Sequence, residues 1–221
     1  MKRQIPLQKL LIVLFFTLMS CSNYVDDYQS KWCVVQGTGQ NLRFLADDGT
    51  VLKPSEPLDT ANFKVGDRYR VLYMLLGTTS YYSTSSVAQL VEIEHLQRVL
   101  VKNINTGDSL KLMHSDPISI NQYPFIGGGF LNFDFNFEFY NYNVKHSIEL
   151  VQDTLVGRVC RMRFLHLAKN DYGPNLAAAL VSFPIRTIDR SQTDSLVVEV
   201  MQYDDQIRAF RIALDDSIPN F

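Results

Sequence analysis

Cysteine and histidine are scarce in this 221-residue sequence, and neither residue occurs at the spacing of a common metal motif. The chain has three cysteines and four histidines, with no Cys-x-x-Cys, His-x-His or His-x-x-x-His pair. Zinc fingers and zinc ribbons need such closely spaced ligand pairs. The composition therefore excludes a zinc framework of this kind, and no cofactor is predicted.

A metal site could still be assembled from residues on different strands. His146 and His166 lie in neighbouring strand-like segments and Asp171 follows closely, so the three side chains could face one another as a transition-metal set. The alternative is that these histidines bond to backbone or loop residues at the rim of the fold. We favour that alternative and predict no metal.

The two cysteines beyond the N-terminal region, Cys33 and Cys160, are far apart and lie in apolar, strand-like runs. Isolated cysteines in such runs are commonly buried free thiols. An exported chain could also pair them, because disulfides persist outside the cytoplasm. We expect free thiols and keep a disulfide as the alternative.

An excess of positive charge is also missing. Lysine and arginine together number 21 against 23 acidic residues, which gives a formal net charge of −2 at pH 7. Proteins that follow a phosphate backbone need a basic stripe or patch. A nucleic-acid partner is therefore not expected.

Catalytic signatures are absent from the sequence as well. Ser182 lies in a strand-like run without a Gly-x-Ser-x-Gly elbow. The paired acidic residues are adjacent, and adjacent residues on a strand point to opposite faces, so they cannot flank one substrate bond. We predict that these pairs form turns and that the chain has no catalytic residue. The pairs are Asp47–Asp48, Asp204–Asp205 and Asp215–Asp216.

No apolar run reaches the roughly 20 residues that a membrane-spanning helix requires, but a shorter run lies at the N-terminus. Lys2, Arg3 and Lys9 precede the ten-residue apolar run 10–19. A basic segment followed by a short apolar segment predicts a signal peptide over residues 1–20. Its removal would take away three positive charges and no negative ones, so the net charge would fall from −2 to −5.

The end of this segment, Leu18-Met19-Ser20-Cys21, resembles the lipobox of bacterial lipoproteins, in which the cysteine becomes the first residue and carries a diacylglycerol. The resemblance implies a membrane anchor on Cys21, with residues 21–30 as a tether. The alternative is a soluble exported protein. We predict a lipid-anchored protein of the outer membrane that faces either the periplasm or the cell surface.

One stretch strongly predicts a β-strand. Leu131, Phe133, Phe135, Phe137 and Phe139 occupy every second position, with polar residues between them. This two-residue period puts the aromatic rings on one face of a strand, whereas on a helix they would spread around the axis. The preceding glycines, 127–129, could cradle an anion, but a bend or bulge that leads into the strand is the stronger interpretation.

Short strand-like segments separated by turn signals run through the rest of the chain, without a convincing helical period. About five of them fill residues 31–107 and predict a small OB-like β-barrel. About seven fill residues 108–221 and predict an antiparallel β-sandwich. One of the latter, 176–183, could have some helical character because of its alanines. The predicted fold class is therefore all-β, with the barrel first and the sandwich second.

Several segments of the second half resemble the NigD-like lipoproteins of Bacteroidota. The resemblance implies an N-terminal OB-type barrel and a C-terminal β-sandwich behind a lipoprotein signal. It also implies an immunity or accessory role, and it supplies no catalytic residues. The segments that carry it are Gly129-Phe130-Leu131-Asn132-Phe133, Lys145-His146-Ser147-Ile148-Glu149-Leu150, Leu165-His166-Leu167-Ala168-Lys169-Asn170-Asp171 and Val181-Ser182-Phe183-Pro184-Ile185, together with the earlier Lys102-Asn103-Ile104.

Tyrosines in polar surroundings are the candidate binding residues. Tyr81 and Tyr82 lie in a polar loop, and Tyr140 and Tyr142 follow the phenylalanine strand among asparagines. Exposed tyrosines offer rigid contact area at low entropic cost, which suits protein partners or sugars. We therefore expect a non-enzymatic envelope protein that binds a protein partner, with glycan binding as the alternative.

Overall fold

The computed structural model describes residues 28–78, 85–95, 97–98, 101–103 and 114–214. Within these ranges the protein is all-β, as predicted, and its helical residues are two single 3-10 turns at Gly39–Asn41 and Thr60–Asn62. No helix in the described part of the chain is long and apolar enough to cross a membrane. The strands are β1 (Tyr28–Gln36), β2 (Arg43–Ala46), β3 (Val51–Pro54), β4 (Arg68–Thr78), β5 (Ser85–His95), β6 (Gln97–Arg98), β7 (Val101–Asn103), β8 (Ser119–Gly127), β9 (Phe130–Phe139), β10 (Ser147–Val156), β11 (Val159–Leu167), β12 (Asn175–Pro184), β13 (Ser195–Met201) and β14 (Ile207–Ala213).

The first five strands close into a barrel in the order β1-β2-β3-β5-β4. Its one parallel pair among the described strands is β3 with β5, and the other neighbours are antiparallel. Alternate residues of β4, Tyr69, Val71 and Tyr73, point inward and are buried, because successive side chains of a strand face opposite sides. The strand begins at Tyr28, so the predicted tether 21–30 loses its last three residues to the barrel.

The remaining strands form a sandwich of two sheets. One sheet has the order β14-β13-β11-β10-β7 and the other has the order β6-β12-β9-β8. The predicted antiparallel arrangement is mostly correct, but β7 with β10, β6 with β12 and β11 with β13 are parallel pairs. The segment 176–183 is part of strand β12, which pairs antiparallel with β9 over its whole length and has no helical turn.

Strand pairing moves the border between the two halves. Residues 97–103, which the sequence assigned to the barrel, supply β6 and β7, and both strands pair with sandwich strands. The barrel strands therefore end at His95 rather than near residue 107. The sequence could not indicate this, because the partners of β6 and β7 lie about 50 to 85 residues further along the chain.

Strand β9 is the centre of the sandwich core, and its burial follows the predicted alternation only in part: of the intervening polar residues Glu138 is exposed, whereas Asp134 and Asn136 are half-buried. Leu131, Phe133 and Phe135 are fully buried and pack against Phe164 and the rest of the core. Asn132 was predicted to face water, yet it is also fully buried. The reason is that this end of β9 lies under the barrel, which covers the outer face of the sheet.

The contact between the barrel and the sandwich is built around Arg68, whose side chain is completely buried. Its guanidinium makes two hydrogen bonds to the carboxylate of Asp47, one of them 2.8 Å long, and a third to Asn132 Oδ1 at 3.1 Å. Ser182 also donates to Asn132 Oδ1, at 2.7 Å. The Arg68 side chain lies over the ring of Phe130 at 4.8 Å. A charge taken out of water needs such partners, so this network links the two halves.

The triple glycine forms a hairpin turn rather than the predicted bend or bulge. Gly128 and Gly129 join β8 to β9 with φ of 54° and 77°, which are the positive values that a two-residue type I′ turn requires at both positions. A Cβ added at Gly127 or Gly128 would overlap the carboxylate of Asp47. The glycines therefore let the barrel approach the turn closely.

The acidic pair 47–48 forms a turn, as predicted, and both residues lie within it, because the amide of Gly49 donates to the carbonyl of Ala46 at 2.9 Å. Asp48 accepts a hydrogen bond from the amide of Thr50 at 3.0 Å and forms an ion pair with Lys31 at 2.7 Å. Asp47 instead turns toward the sandwich and pairs with Arg68. The two carboxylates point in different directions, as adjacent residues do, but one of them supports the contact between the two halves.

Both Cys33 and Cys160 are free and buried, as expected. Cys33 belongs to the barrel core and Cys160 to the sandwich core, so the fold keeps them in separate units. Burial raises the pKa of the Cys33 thiol to about 12 and also raises the pKa of Cys160.

Candidate functional site

The predicted binding residues fall into two groups. Tyr81 and Tyr82 lie outside the described residues, as does the predicted anchor Cys21. Tyr140 and Tyr142 are described, and they are 70% and 85% exposed at the end of β9. This end of β9 is opposite the hairpin turn that contacts the barrel, so these tyrosines lie at the far end of the sandwich.

The loop that carries them is fixed by a carboxylate. Asp171 accepts hydrogen bonds from the amides of Tyr140 at 3.3 Å and Asn141 at 2.9 Å. The amide of Asn143 donates to the side-chain oxygen of Asn141 at 3.0 Å, which closes the turn. The backbone around Tyr142 is thus held by hydrogen bonds, while its ring remains largely in solvent.

A shallow apolar depression of about 170 Å³ lies beside Tyr142. The ring of Tyr142 meets that of Phe139 edge-on, with centroids 4.7 Å apart. Phe137 and Ala177 are cross-strand partners of β9 and β12 and form the floor. The depression is lined by Phe137, Phe139, Asn141, Tyr142, Val144, His146 and Ala177.

A third exposed tyrosine belongs to the same end of the sandwich and was missed in the sequence. Tyr172 is 54% exposed, and its hydroxyl donates to Asp116 at 2.8 Å. The next residue, Gly173, packs so closely on the backbone of Tyr140 that a Cβ there would overlap it. Tyr172 stands in the polar loop 170–175, so the criterion that selected Tyr81 and Tyr82 would have found it. We call Tyr140, Tyr142 and Tyr172 the tyrosine rim.

Asp116 holds the segment that carries Tyr172. Besides the hydrogen bond from the tyrosine hydroxyl, its carboxylate accepts one from the amide of Ala168 at 2.6 Å and lies 2.8 Å from His114 Nε2. Burial alone would raise the pKa of Asp116, but these hydrogen bonds outweigh it and lower the pKa. The tyrosine rim is therefore supported by two carboxylates, Asp116 and Asp171.

His146, His166 and Asp171 are brought together, as the sequence suggested. His146 Nδ1 lies 2.9 Å from His166 Nε2, and His146 Nε2 lies 3.2 Å from Asp171 Oδ2. The carboxylate can only accept, so His146 Nε2 donates to it. Between the two imidazoles, one nitrogen donates and the other accepts. The three groups thus form a hydrogen-bonded chain.

The hydrogen-bonded arrangement of His146, His166 and Asp171 differs from a metal site. Each bond joins a donor directly to an acceptor, so the two imidazoles do not direct free lone pairs at a common point about 2.0 Å away, as zinc ligands do. Among the described residues, no group of three or more His, Cys, Asp or Glu side chains has the arrangement needed to hold a metal ion.

Burial and these hydrogen bonds also change the pKa values of His166 and Asp171. Burial, followed by the charge of His146, lowers the pKa of His166 to about 4. Burial alone would raise the pKa of Asp171, but hydrogen bonds from His146 and from the amides of Asn141 and Tyr140 lower it instead. His166 is therefore neutral at neutral pH and packs as a ring against Phe137, with centroids 5.2 Å apart.

The remaining residues considered for catalysis have structural positions. Ser182 is fully buried on β12 and donates to Asn132, so no substrate can reach it. Asp204 lies in the turn between β13 and β14, where it pairs with Arg208 at 3.0 Å. Asp215 and Asp216 lie outside the described residues.

Comparisons with known proteins place this fold. Residues 101–214 match the family model of the NigD-like C-terminal β-sandwich domain. No curated protein sequence matches the chain at a significant level.

Solved structures of similar fold come from Parabacteroides and Bacteroides species. A protein described as toxin-related, from Parabacteroides distasonis, has a TM-score of 0.69 and 22% identity, covering 86% of this chain and 95% of its own. A protein of unknown function from Bacteroides vulgatus has a TM-score of 0.70 and 15% identity, over 88% and 95%. A NigD-like immunity protein from Bacteroides caccae has a TM-score of 0.62 and 17% identity, over 87% and 100%. At these identities the likeness shows a shared fold.

Proposed function

This chain belongs to the family of the NigD-like C-terminal β-sandwich domain, and from that premise we propose that it binds a protein partner through the tyrosine rim. The proposal includes no catalytic step. One observation carries it: three exposed tyrosines converge at one end of the sandwich, next to an apolar depression.

The geometry of the rim supports a protein partner. Tyrosine is enriched in interface hot spots, where a ring is buried on association and its hydroxyl finds a partner. Tyr142 is 85% exposed and rests on Phe139, so its position is set before binding. Because the loop is already fixed by Asp171, little conformational entropy would be lost on association.

The identity of the partner is proposed from the neighbours. One of them is described as an immunity protein and another as toxin-related. A secreted toxin, or an envelope protein that a toxin uses, is therefore the kind of partner that we propose for this chain.

The location of the protein is part of the proposal. The lipobox-like segment that ends at Cys21 supports a diacylglycerol anchor, and two or more acyl chains suffice for stable attachment to a bilayer. We place the protein on the outer membrane, with both halves outside the bilayer.

The test is site-specific photocrosslinking in the producing bacterium. A benzophenone amino acid replaces the exposed Asn143, next to the rim, and irradiated cells are examined for a crosslinked protein band. We expect one band, lost in Tyr142→Ala and retained in Tyr142→Phe, because the ring supplies most of the contact area. The matched control is Leu155→Ala, which shortens a 45% exposed apolar side chain near the end of β10 that is remote from His146.

Two outcomes would contradict the protein-partner proposal. A band that persists unchanged in Tyr142→Ala would mean that the rim is not the binding surface. Absence of any band, together with binding to a glycan array that Tyr142→Ala abolishes, would favour the sugar alternative. That alternative rests on the exposed ring beside the amide of Asn141.

A further inference from the structure

Exposed apolar side chains gather at one end of the barrel, on strand β4. Leu75 and Leu76 are 43% and 54% exposed. Leu75 pairs with Ala88 of β5 and Gly77 pairs with Val87, so Leu76 is an extra residue in a bulge between them. A bulge redirects side chains, and here it leaves two successive leucines in contact with solvent.

The outer face of the neighbouring strands extends this apolar surface. Tyr69, Val71 and Tyr73 of β4 point into the barrel, so Leu72 and Met74 point outward by alternation. Met74 is the partner of Tyr28 on β1, and Tyr28 is 49% exposed. Val91, an extra residue of β5 in a second irregularity opposite Leu72, is also 49% exposed.

The start of β1 connects this surface to the predicted anchor. Strands β1 and β4 are antiparallel, and Tyr28 lies opposite Met74. The N-terminal end of β1 therefore lies beside the end of β4 that carries Leu75 and Leu76. Cys21 is seven residues earlier, and seven residues span at most about 25 Å even when fully extended. A lipid on Cys21 would thus hold this end of the barrel close to the bilayer.

We propose that the end of the barrel formed by Leu75, Leu76 and Tyr28 rests on the membrane surface, with the two leucines among the lipid headgroups and upper acyl chains. The inference rests on the anchoring part of the proposed function. Without an anchor, two leucines and a tyrosine bind a bilayer weakly. The tether makes the contact intramolecular, so even a small apolar surface is then sufficient.

The test measures whether residue 76 touches lipid in the anchored protein. The lipidated chain that begins at Cys21 is reconstituted into vesicles of phosphatidylethanolamine and phosphatidylglycerol. The environment-sensitive fluorophore NBD is attached at Leu76→Cys. The native thiols do not compete, because Cys33 and Cys160 are buried and the thiol of Cys21 carries the lipid. The matched control is Val65→Cys, a 61% exposed apolar position at the opposite end of β4.

In the vesicle-bound protein, we expect the probe at residue 76 to emit at shorter wavelength than in detergent-free solution of a Cys21→Ala chain. Spin-labelled lipids should quench this probe about twofold more than the probe at residue 65, because only the probe at residue 76 enters the interface.

Equal emission and equal quenching at the two positions, in protein that floats with the vesicles, would overturn the membrane face and leave the anchor intact. Failure of the chain to float would overturn the anchor and, with it, the membrane face. Neither result affects binding at Tyr142, which is measured by crosslinking.

Discussion

A single buried imidazole, His166, makes the stability of the sandwich depend on pH. Its side chain is only 2% exposed, and it contacts His146 and Phe137. Water normally stabilises a protonated imidazole, and the sandwich core does not. The folded protein therefore resists protonation at this position, whereas the unfolded chain accepts a proton near pH 6.5.

The expected result is a loss of stability between pH 6.5 and about 4. The pKa of His166 is lowered on folding to about 4, so the unfolded state binds more protons in this window and the free energy of unfolding falls as the pH falls. The full loss is about 3 kcal/mol. Urea unfolding at several pH values measures it. His166→Gln should flatten the slope between these values whatever its effect at pH 7, and an unchanged slope would contradict the assignment.

Asp171 and Asp116 do not obscure this measurement. Their pKa values are lowered on folding from 3.8, so the stability they contribute is present above that value and is lost only below it. Their protonation therefore follows that of His166 as the pH decreases.

One tyrosine, Tyr123, protects an edge of the sandwich. Strand β8 is the edge of one sheet and β14 is the edge of the other. The hydroxyl of Tyr123 on β8 donates to the carbonyl of Arg211 on β14 at 2.9 Å and accepts from its amide at 3.0 Å. Its ring meets Phe210 edge-on at 5.4 Å. An edge strand with unpaired backbone groups can recruit another chain, and this hydroxyl occupies one such donor and acceptor.

Tyr123→Phe should therefore have two effects. Loss of the two hydrogen bonds should lower the free energy of unfolding by about 1 kcal/mol, since the freed backbone groups can still meet water. The exposed edge should also increase self-association, measured by light scattering during prolonged incubation. Tyr140→Phe, which removes an exposed hydroxyl from the rim, serves as the control and should change neither property. If both variants aggregate at the wild-type rate, the hydroxyl does not guard the edge.

The elements differ in how far the sequence predicted them. Strand β9 was predicted from its own alternation, because burial of one face is a local pattern. Burial of Asn132 was not predicted, because the barrel residues that cover it are distant in sequence. Residues 97–103 were predicted to belong to the barrel, whereas β6 and β7 pair with different sheets of the sandwich. A strand of two or three residues is too short for its sequence to indicate which strand it pairs with.

The candidate site shows the same limit. His146, His166 and Asp171 could be associated because two neighbouring strands and the following loop bring them together. The floor of the depression could not be foreseen, since it depends on Ala177 of β12 facing Phe137 of β9. Contacts between residues of one hairpin could be predicted from the sequence, whereas contacts between strands that are distant in sequence could not.

The barrel contact and the tyrosine rim lie at opposite ends of strand β9. The hairpin turn at Gly128 contacts the barrel, and the ten-residue strand β9 leads from there to Tyr140, a distance of about 30 Å. If the barrel rests on the membrane, the tyrosine rim lies on the side of the sandwich that is remote from the barrel. The arrangement is maintained by the contact around Arg68.

Removing the carboxylate from this contact should destabilise the whole chain. Asp47→Ala leaves the fully buried guanidinium of Arg68 without its ion-pair partner, which should cost about 3 to 5 kcal/mol. Asp48→Ala is the control: its side chain is 55% exposed, and loss of its surface ion pair should cost at most about 1 kcal/mol. Chemical denaturation followed by circular dichroism measures both. Similar midpoints for the two variants would mean that the buried pair does not hold the halves together.

The two buried thiols have a consequence for the lifetime of the protein. Cys33 lies in the barrel core and Cys160 in the sandwich core, and neither can react while its own half is closed. The reactive form of a cysteine is the thiolate, which burial suppresses further. Where an oxidant is present, a chain that opens even briefly can be trapped as a mixed disulfide and fail to close again. Thiol–disulfide exchange takes seconds to hours, which is slow compared with reclosing, so the small equilibrium fraction of opened molecules limits how long the protein persists.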